Sequence, residues 1–184
     1  MRKFYFLALM AMLFLGLGLL LSCGDDDDDD DSGSDDDDVS GDTWTDSSSG
    51  LRWQVTPSSG YMMWEDAIEY CENLTLAGGG WHLPTISELR TLIRGCDATV
   101  TGGSCGVTDS CLDYDCKDDS CGSCIDGEGP NFDGCYGPSE LPGECDWYWS
   151  SSPVADGDDL AWAVNFDLGD VYDDYGGNSK RCVR

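Results

Sequence analysis

"GGGWHLPTISELRTLI", residues 78–93, decides how this chain folds. Three consecutive glycines end whatever helix precedes them. Thr85 and Glu88 make a T-x-x-E pattern, the signature of a capping box at a helix start. Pro84 keeps the residue before it extended, so the helix cannot begin early. Ile86, Leu89 and Ile93 then recur at helical spacing, with Leu92 beside them. Arg90 and Arg94 fall toward the C-terminal end, where the helix dipole favours cations, and Gly95 can close it. Trp81 and Leu83 are candidate core residues. Between them stands His82, the only histidine in 184 residues. A general base needs a partner and a matched pKa, and no sequence motif supplies a partner here. We read His82 as a polar tip beside a structural tryptophan, hydrogen-bonded to a nearby loop.

Upstream, "WEDAIEYCENL" (64–74) places Trp64, Ala67, Ile68, Cys71 and Leu74 on one helical face. Glu65 and Asp66 fall in its first turn, where anions are favoured. "GLRWQV" (50–55) predicts a short strand. Downstream, "WYWSSS" (147–152), "AWAVNF" (161–166), "VYDDY" (171–175) and "SKRCVR" (179–184) predict four more, with "DLGD" (167–170) as a turn. Alternation puts Trp162, Val164 and Phe166 on one face. Two helices followed by an antiparallel sheet make an α+β domain.

Residues 96–145 break this pattern. They hold eight cysteines, many glycines and acids, and little periodicity. The segment is expected to be a loop insertion stapled by its own disulfides rather than by a core.

The N-terminus is of another kind. Arg2 and Lys3 precede an apolar run (4–21), and "LLSC" ends at Cys23. This resembles a bacterial lipobox, so residues 1–22 are expected to be a lipoprotein signal peptide and Cys23 the lipidated residue. Residues 23–43 are Asp, Ser and Gly with almost no apolar content, an acidic disordered tether. The domain follows at 44–184. Gly24 after Cys23 points to an outer-membrane lipoprotein of the cell envelope, and the acid-rich tether to surface exposure.

Charge excludes several partners. The chain has 37 acidic and 9 basic residues. From Thr43 onward there remain 25 acids and 7 bases. Such a chain repels nucleic acid and anionic lipid surfaces, leaving the lipid anchor as its route to the membrane. Setting Cys23 aside, ten cysteines remain: Cys71, Cys96, Cys105, Cys111, Cys116, Cys121, Cys124, Cys135, Cys145 and Cys182. An even count in an exported chain reads as five disulfides, whose connectivity the count does not fix.

The ordered set "SGLRWQ", "WEDAIEYCENL", "GGGWHLPTISELRTLI", "YWSSS", "AWAVNFDLG" and "RCVR" resembles the Lcl C-terminal domain family, named after a bacterial collagen-like adhesin. The "W-x-L-P-T-x-x-E-L" unit is also similar to the formylglycine-generating-enzyme and C-type-lectin-like group. The resemblance implies a C-type-lectin-like α+β fold and an extracellular role in adhesion or glycan binding. It also implies that Cys71 pairs with Cys182, leaving the other eight to pair within 96–145. Arg commonly occupies the position of His82 in that family, a residue unsuited to general-base work. The namesake adhesin is associated with sulfated glycans, which require basic patches. This chain lacks them, so a neutral glycan or a cationic surface partner is the expectation.

Candidate chemistry is sparse. "CGSC" (121–124) lies among Asp118, Asp119 and Asp126, whose charges oppose thiolate formation, so it reads as structural half-cystines. Acidic stretches raise Ca2+ as a cofactor, with Asp113, Asp115 and Asp119 as candidate ligands, although Lys117 stands where a third ligand would go. Tyr172 and Tyr175, on the last hairpin, are the candidate ligand contacts. The expected function is a non-catalytic, lectin-like binding or adhesion domain with no required cofactor. The alternatives are a formylglycine-generating-type enzyme, which needs a free thiol, and a structural surface protein without a specific ligand.

Overall fold

The computed structural model describes residues 39–57, 59–143 and 145–184. The expected signal peptide, Cys23 and nearly all of the tether lie outside them. Two three-stranded antiparallel sheets and two helices make an α+β domain. In chain order the elements are β1 Val39–Ser40, β2 Thr43–Thr45, β3 Arg52–Gln54, α1 Trp64–Glu72, α2 Ile86–Arg90, β4 Trp147–Pro153, β5 Ala161–Asn165 and β6 Asp170–Asp174. Sheet order follows chain order in both sheets. Among the described residues no helix is long and apolar enough to cross a membrane.

The stretch 78–93 behaves as its residues dictate. Gly78, Gly79 and Gly80 adopt φ of 98°, 80° and 81°, a left-handed run that other residues resist. Thr85 accepts from the Glu88 backbone N–H and Glu88 accepts from the Thr85 N–H, completing the capping box. The helix that follows is one short turn and a half, and its chain continues through Leu92 and Ile93 as buried turn residues. Likewise α1 stops at Glu72, with Asn73 as its C-cap, so Leu74 falls beyond it.

β5 is the centre of the larger sheet, and all five of its residues are buried. Trp162 and Val164 pack with Ile86, Leu89, Leu92, Ile93 and Phe166 in the main core. Ala161 and Ala163, on the other face, pack with Ala67, Cys71, Trp81, Leu83, Trp149 and Cys182 in a second core. Both faces of β5 are therefore covered, which the alternation alone did not indicate. The C-terminal stretch is not a full strand. Val183 makes single bridges to Trp53 and to His82, tying β3 to the segment before α2.

The insertion departs from expectation most. Its four disulfides are Cys96–Cys124, Cys105–Cys121, Cys111–Cys116 and Cys135–Cys145. Yet it does not stand apart from the core: Val107, Tyr136 and Leu141 are buried in the main cluster with Cys96, Cys105, Cys116 and Cys121. Arg90 explains the docking. Its buried guanidinium donates to the carbonyl oxygens of Thr99 (2.7 Å), Val100 (2.9 Å), Cys105 (3.2 Å) and Val107. Arg90 is thus a staple between α2 and the insertion, not an exposed cation answering the helix dipole.

Candidate functional site

Cys71 on α1 is bonded to Cys182 near the C-terminus, across 111 residues. Both are fully buried in the second core. This bond fixes the chain end against α1 and so positions the surface that β6 and α1 share. The hydrogen bonds around it do the same. Met62 and Asn178 exchange backbone bonds at 2.9 and 3.1 Å. The indole N–H groups of Trp149 and Trp64 donate to the Met62 and Ser150 carbonyls at 2.9 and 2.8 Å. Beyond β6, one carboxylate organises the turn: Asp174 accepts from the Tyr175 and Gly176 N–H groups and from the Asn178 amide.

That turn presents Tyr175, which is 76% exposed. With Met63, Trp64 and Glu65 at the start of α1, and Asp159 from the β4–β5 loop, Tyr175 lines a cleft of about 310 Å³. Asp159 holds φ of 58°, a left-handed conformation that Asp tolerates better than most residues. Met63, in the lining, is 51% exposed.

Tyr172 is a different case from Tyr175. It is half exposed, but the Lys117 ammonium lies 3.3 Å from its ring centroid and Trp147 meets its edge at 6.3 Å. Lys117 is itself bonded to Asp173 at 2.7 Å. Tyr114 reaches the same carboxylate at 3.3 Å, and desolvation, then the Asp173 charge, hold its phenol above the ordinary value. One face of Tyr172 is therefore occupied by an internal cation. Of the two expected ligand contacts, Tyr175 is the one left open.

A second cleft, of about 400 Å³, is lined by Tyr172 together with Lys117, Asp118, Asp119, Gly122 and Asp170. Hydrogen bonds from the Ser120 hydroxyl and N–H lower the Asp118 carboxyl pKa. Burial raises that of Asp170, whose Oδ1 has no hydrogen-bond partner.

Among the described residues no group of three or more His, Cys, Asp or Glu side chains is placed to hold a metal ion. Asp113 and Asp115 are exposed at one short 3-10 turn, Tyr114–Cys116, and Asp119 begins the next, Asp119–Gly122. The chain between them carries Lys117, committed to Asp173.

His82 is half exposed, and its Nε2 lies 3.1 Å from Glu88 Oε2. That oxygen also accepts from the Thr85 N–H, so the histidine leans on the capping box. "CGSC" is split between two bonds, to Cys105 and Cys96, and forms no internal dithiol pair. The cleft itself carried little sequence signal: Glu65 reads as a helix-start anion, and nothing places Asp159 beside it.

The sequence model of the Lcl C-terminal domain matches residues 42–184. The chain belongs to the Lcl C-terminal domain family. Membership suggests a surface or adhesion-related domain. No curated protein and no solved structure matches the chain. Within this Lcl C-terminal domain, the cysteine-rich segment 96–145 is docked by Arg90, and the open aromatic edge is at Tyr175.

Proposed function

We propose that this chain is a bacterial lipoprotein, anchored through Cys23 and held off the outer membrane by its acidic tether, that displays a lectin-like binding domain without catalytic activity. The observation that carries the reading is Tyr175, an exposed ring at the rim of a cleft, on a turn braced by Asp174. Aromatic rings so presented stack on ligands, including sugar rings, with little conformational cost. All ten cysteines of the domain are bonded, which favours binding over formylglycine-type chemistry needing a thiol. The reading requires no cofactor. Neutral glycans and cationic surface partners suit the domain's charge better than sulfated ones.

A glycan array, run with and without Ca2+ on the full chain in detergent, tests the binding reading. Hits that Tyr175→Ala abolishes support it; an empty array in both buffers excludes a glycan ligand, and with no cationic partner bound either it favours a structural surface component. Metabolic labelling with a radioactive fatty acid tests the anchor. Label lost on Cys23→Ser supports lipidation, and a wild-type chain without label overturns it.

A further inference from the structure

The domain's cations are spent internally. Arg90, Lys180, Arg181 and Arg184 all donate to backbone carbonyls, and the first three are buried. Arg94 and Lys117 face Asp46 and Asp173. Few of the 25 carboxylates in the domain therefore have a cation beside them. Most of these are exposed to water. Glu65 and Asp159 are exposed too, and neither is in an ion pair among the described residues, but both line the concave site that Trp64 and Tyr175 also line.

We infer that the cleft between Trp64, Glu65, Asp159 and Tyr175 binds the cationic end of an aliphatic chain, that is, an arginine or lysine side chain presented by a partner protein. The chemistry is specific to that class. Indole and phenol rings attract a cation through their π faces and cover the apolar stem. Two carboxylates from different elements supply charge-assisted acceptors for a guanidinium or ammonium group. Met63, at the rim, adds a polarisable apolar contact. A neutral sugar would leave both carboxylates without a counter-charge, and a sulfated one would be repelled. The inference rests on the binding reading above and narrows its ligand.

The test uses the full-length chain in non-ionic detergent and a short peptide with a single arginine. The matched peptide carries citrulline, which keeps the shape and removes the charge. Calorimetric titration should show saturable binding of the arginine peptide and none of the citrulline peptide. The double variant Glu65→Gln/Asp159→Asn should weaken binding by roughly tenfold or more, as loss of two charge-assisted bonds implies. Tyr175→Ala should weaken it too. Glu69→Gln/Glu72→Gln removes the same charge elsewhere on α1 and should leave affinity within about twofold, since exposed charges at a distance are screened. N-acetylarginine amide, the free cation, should bind more weakly than the peptide. Equal weakening by both double variants would mean attraction to the acidic surface at large and would overturn the inference. Equal binding of arginine and citrulline peptides, or no binding at all, would also overturn it. Glycan-array hits alongside a silent arginine peptide would sink the cation site and leave the binding reading standing.

Discussion

The Nε of Arg90 donates to the carbonyl oxygen of Thr99 at 2.7 Å, from a side chain only 1% of the residue's surface away from complete burial. Among the described residues no carboxylate compensates this charge; four insertion carbonyls do. Burial lowers the Arg90 pKa, yet the guanidinium stays protonated because its ordinary value is so high. Replacing it with Met keeps the stem and strips the carbonyls of their donors. The expected loss is about 2–4 kcal/mol, typical of orphaned buried polar groups. Urea unfolding under oxidising conditions measures it. Arg90→Lys should recover only part, having no planar fork to span several carbonyls. An unchanged midpoint for Arg90→Met would show that the disulfides alone hold the insertion.

The Cys71–Cys182 bond is expected to stabilise the domain by about 4–5 kcal/mol through restriction of the unfolded chain. Cys71→Ala/Cys182→Ala should show that loss in denaturant unfolding. Non-reducing peptide mapping of the same variant should recover the four insertion bonds unchanged, because none shares a loop boundary with it. Scrambled pairing would show that the long bond guides the others.

Asp170 gives a pH prediction with a definite sign. Burial raises its folded-state pKa above the unfolded value, so the folded state binds the extra proton. Stability falls as pH rises from the unfolded value through the folded one, and the ionised carboxyl is a standing cost above that. Asp170→Asn should therefore raise the melting temperature at neutral pH. The gap should shrink as pH falls below the unfolded carboxylate value, where both side chains are neutral. Equal melting temperatures at pH 7 would refute this.

Thr85→Ala removes the hydroxyl that caps α2 and should cost about 1 kcal/mol, as such caps do. His82→Arg should cost less than about 0.5 kcal/mol, the usual range for surface changes, since Arg can also meet Glu88. Chemical denaturation separates the two. A larger loss for His82→Arg than for Thr85→Ala would give the histidine a role beyond its lean on Glu88.

Legibility in the sequence followed the range of the interactions. The capping box, the glycine run and the helical faces are local, spanning three to eleven residues, and their residue types determine them. The hairpin around "DLGD" is also local: Asn165 accepts from the Asp167 and Leu168 N–H groups to form it. The roles of Arg90 and Asp159 depended on partners a loop or more away, and no periodicity encodes those. Arg90 conceals its role for a physical reason: a cation at a helix end has an adequate local explanation, which hides the distant one. The insertion is stapled by its own disulfides as expected, but its share in the core was hidden likewise. Its glycines and acids masked Val107, Tyr136 and Leu141, too few and too irregularly spaced to signal a core. Tyr172 is occupied and Tyr175 open because Lys117 and Trp147, 55 and 25 residues before Tyr172, pack against its ring.

The long disulfide also shapes how the domain carries load. Tyr175 lies inside the 111-residue ring that the Cys71–Cys182 bond closes. A pull applied at Val39 and resisted by a ligand on Tyr175 does not run along that ring. It passes to Cys71, crosses the sulfur bridge to Cys182 and reaches Tyr175 within seven residues. Only the chain before Cys71 can then pay out, roughly 110 Å at full extension. The rest is covalently bypassed, so tension on a bound ligand cannot unravel the sheet that presents it.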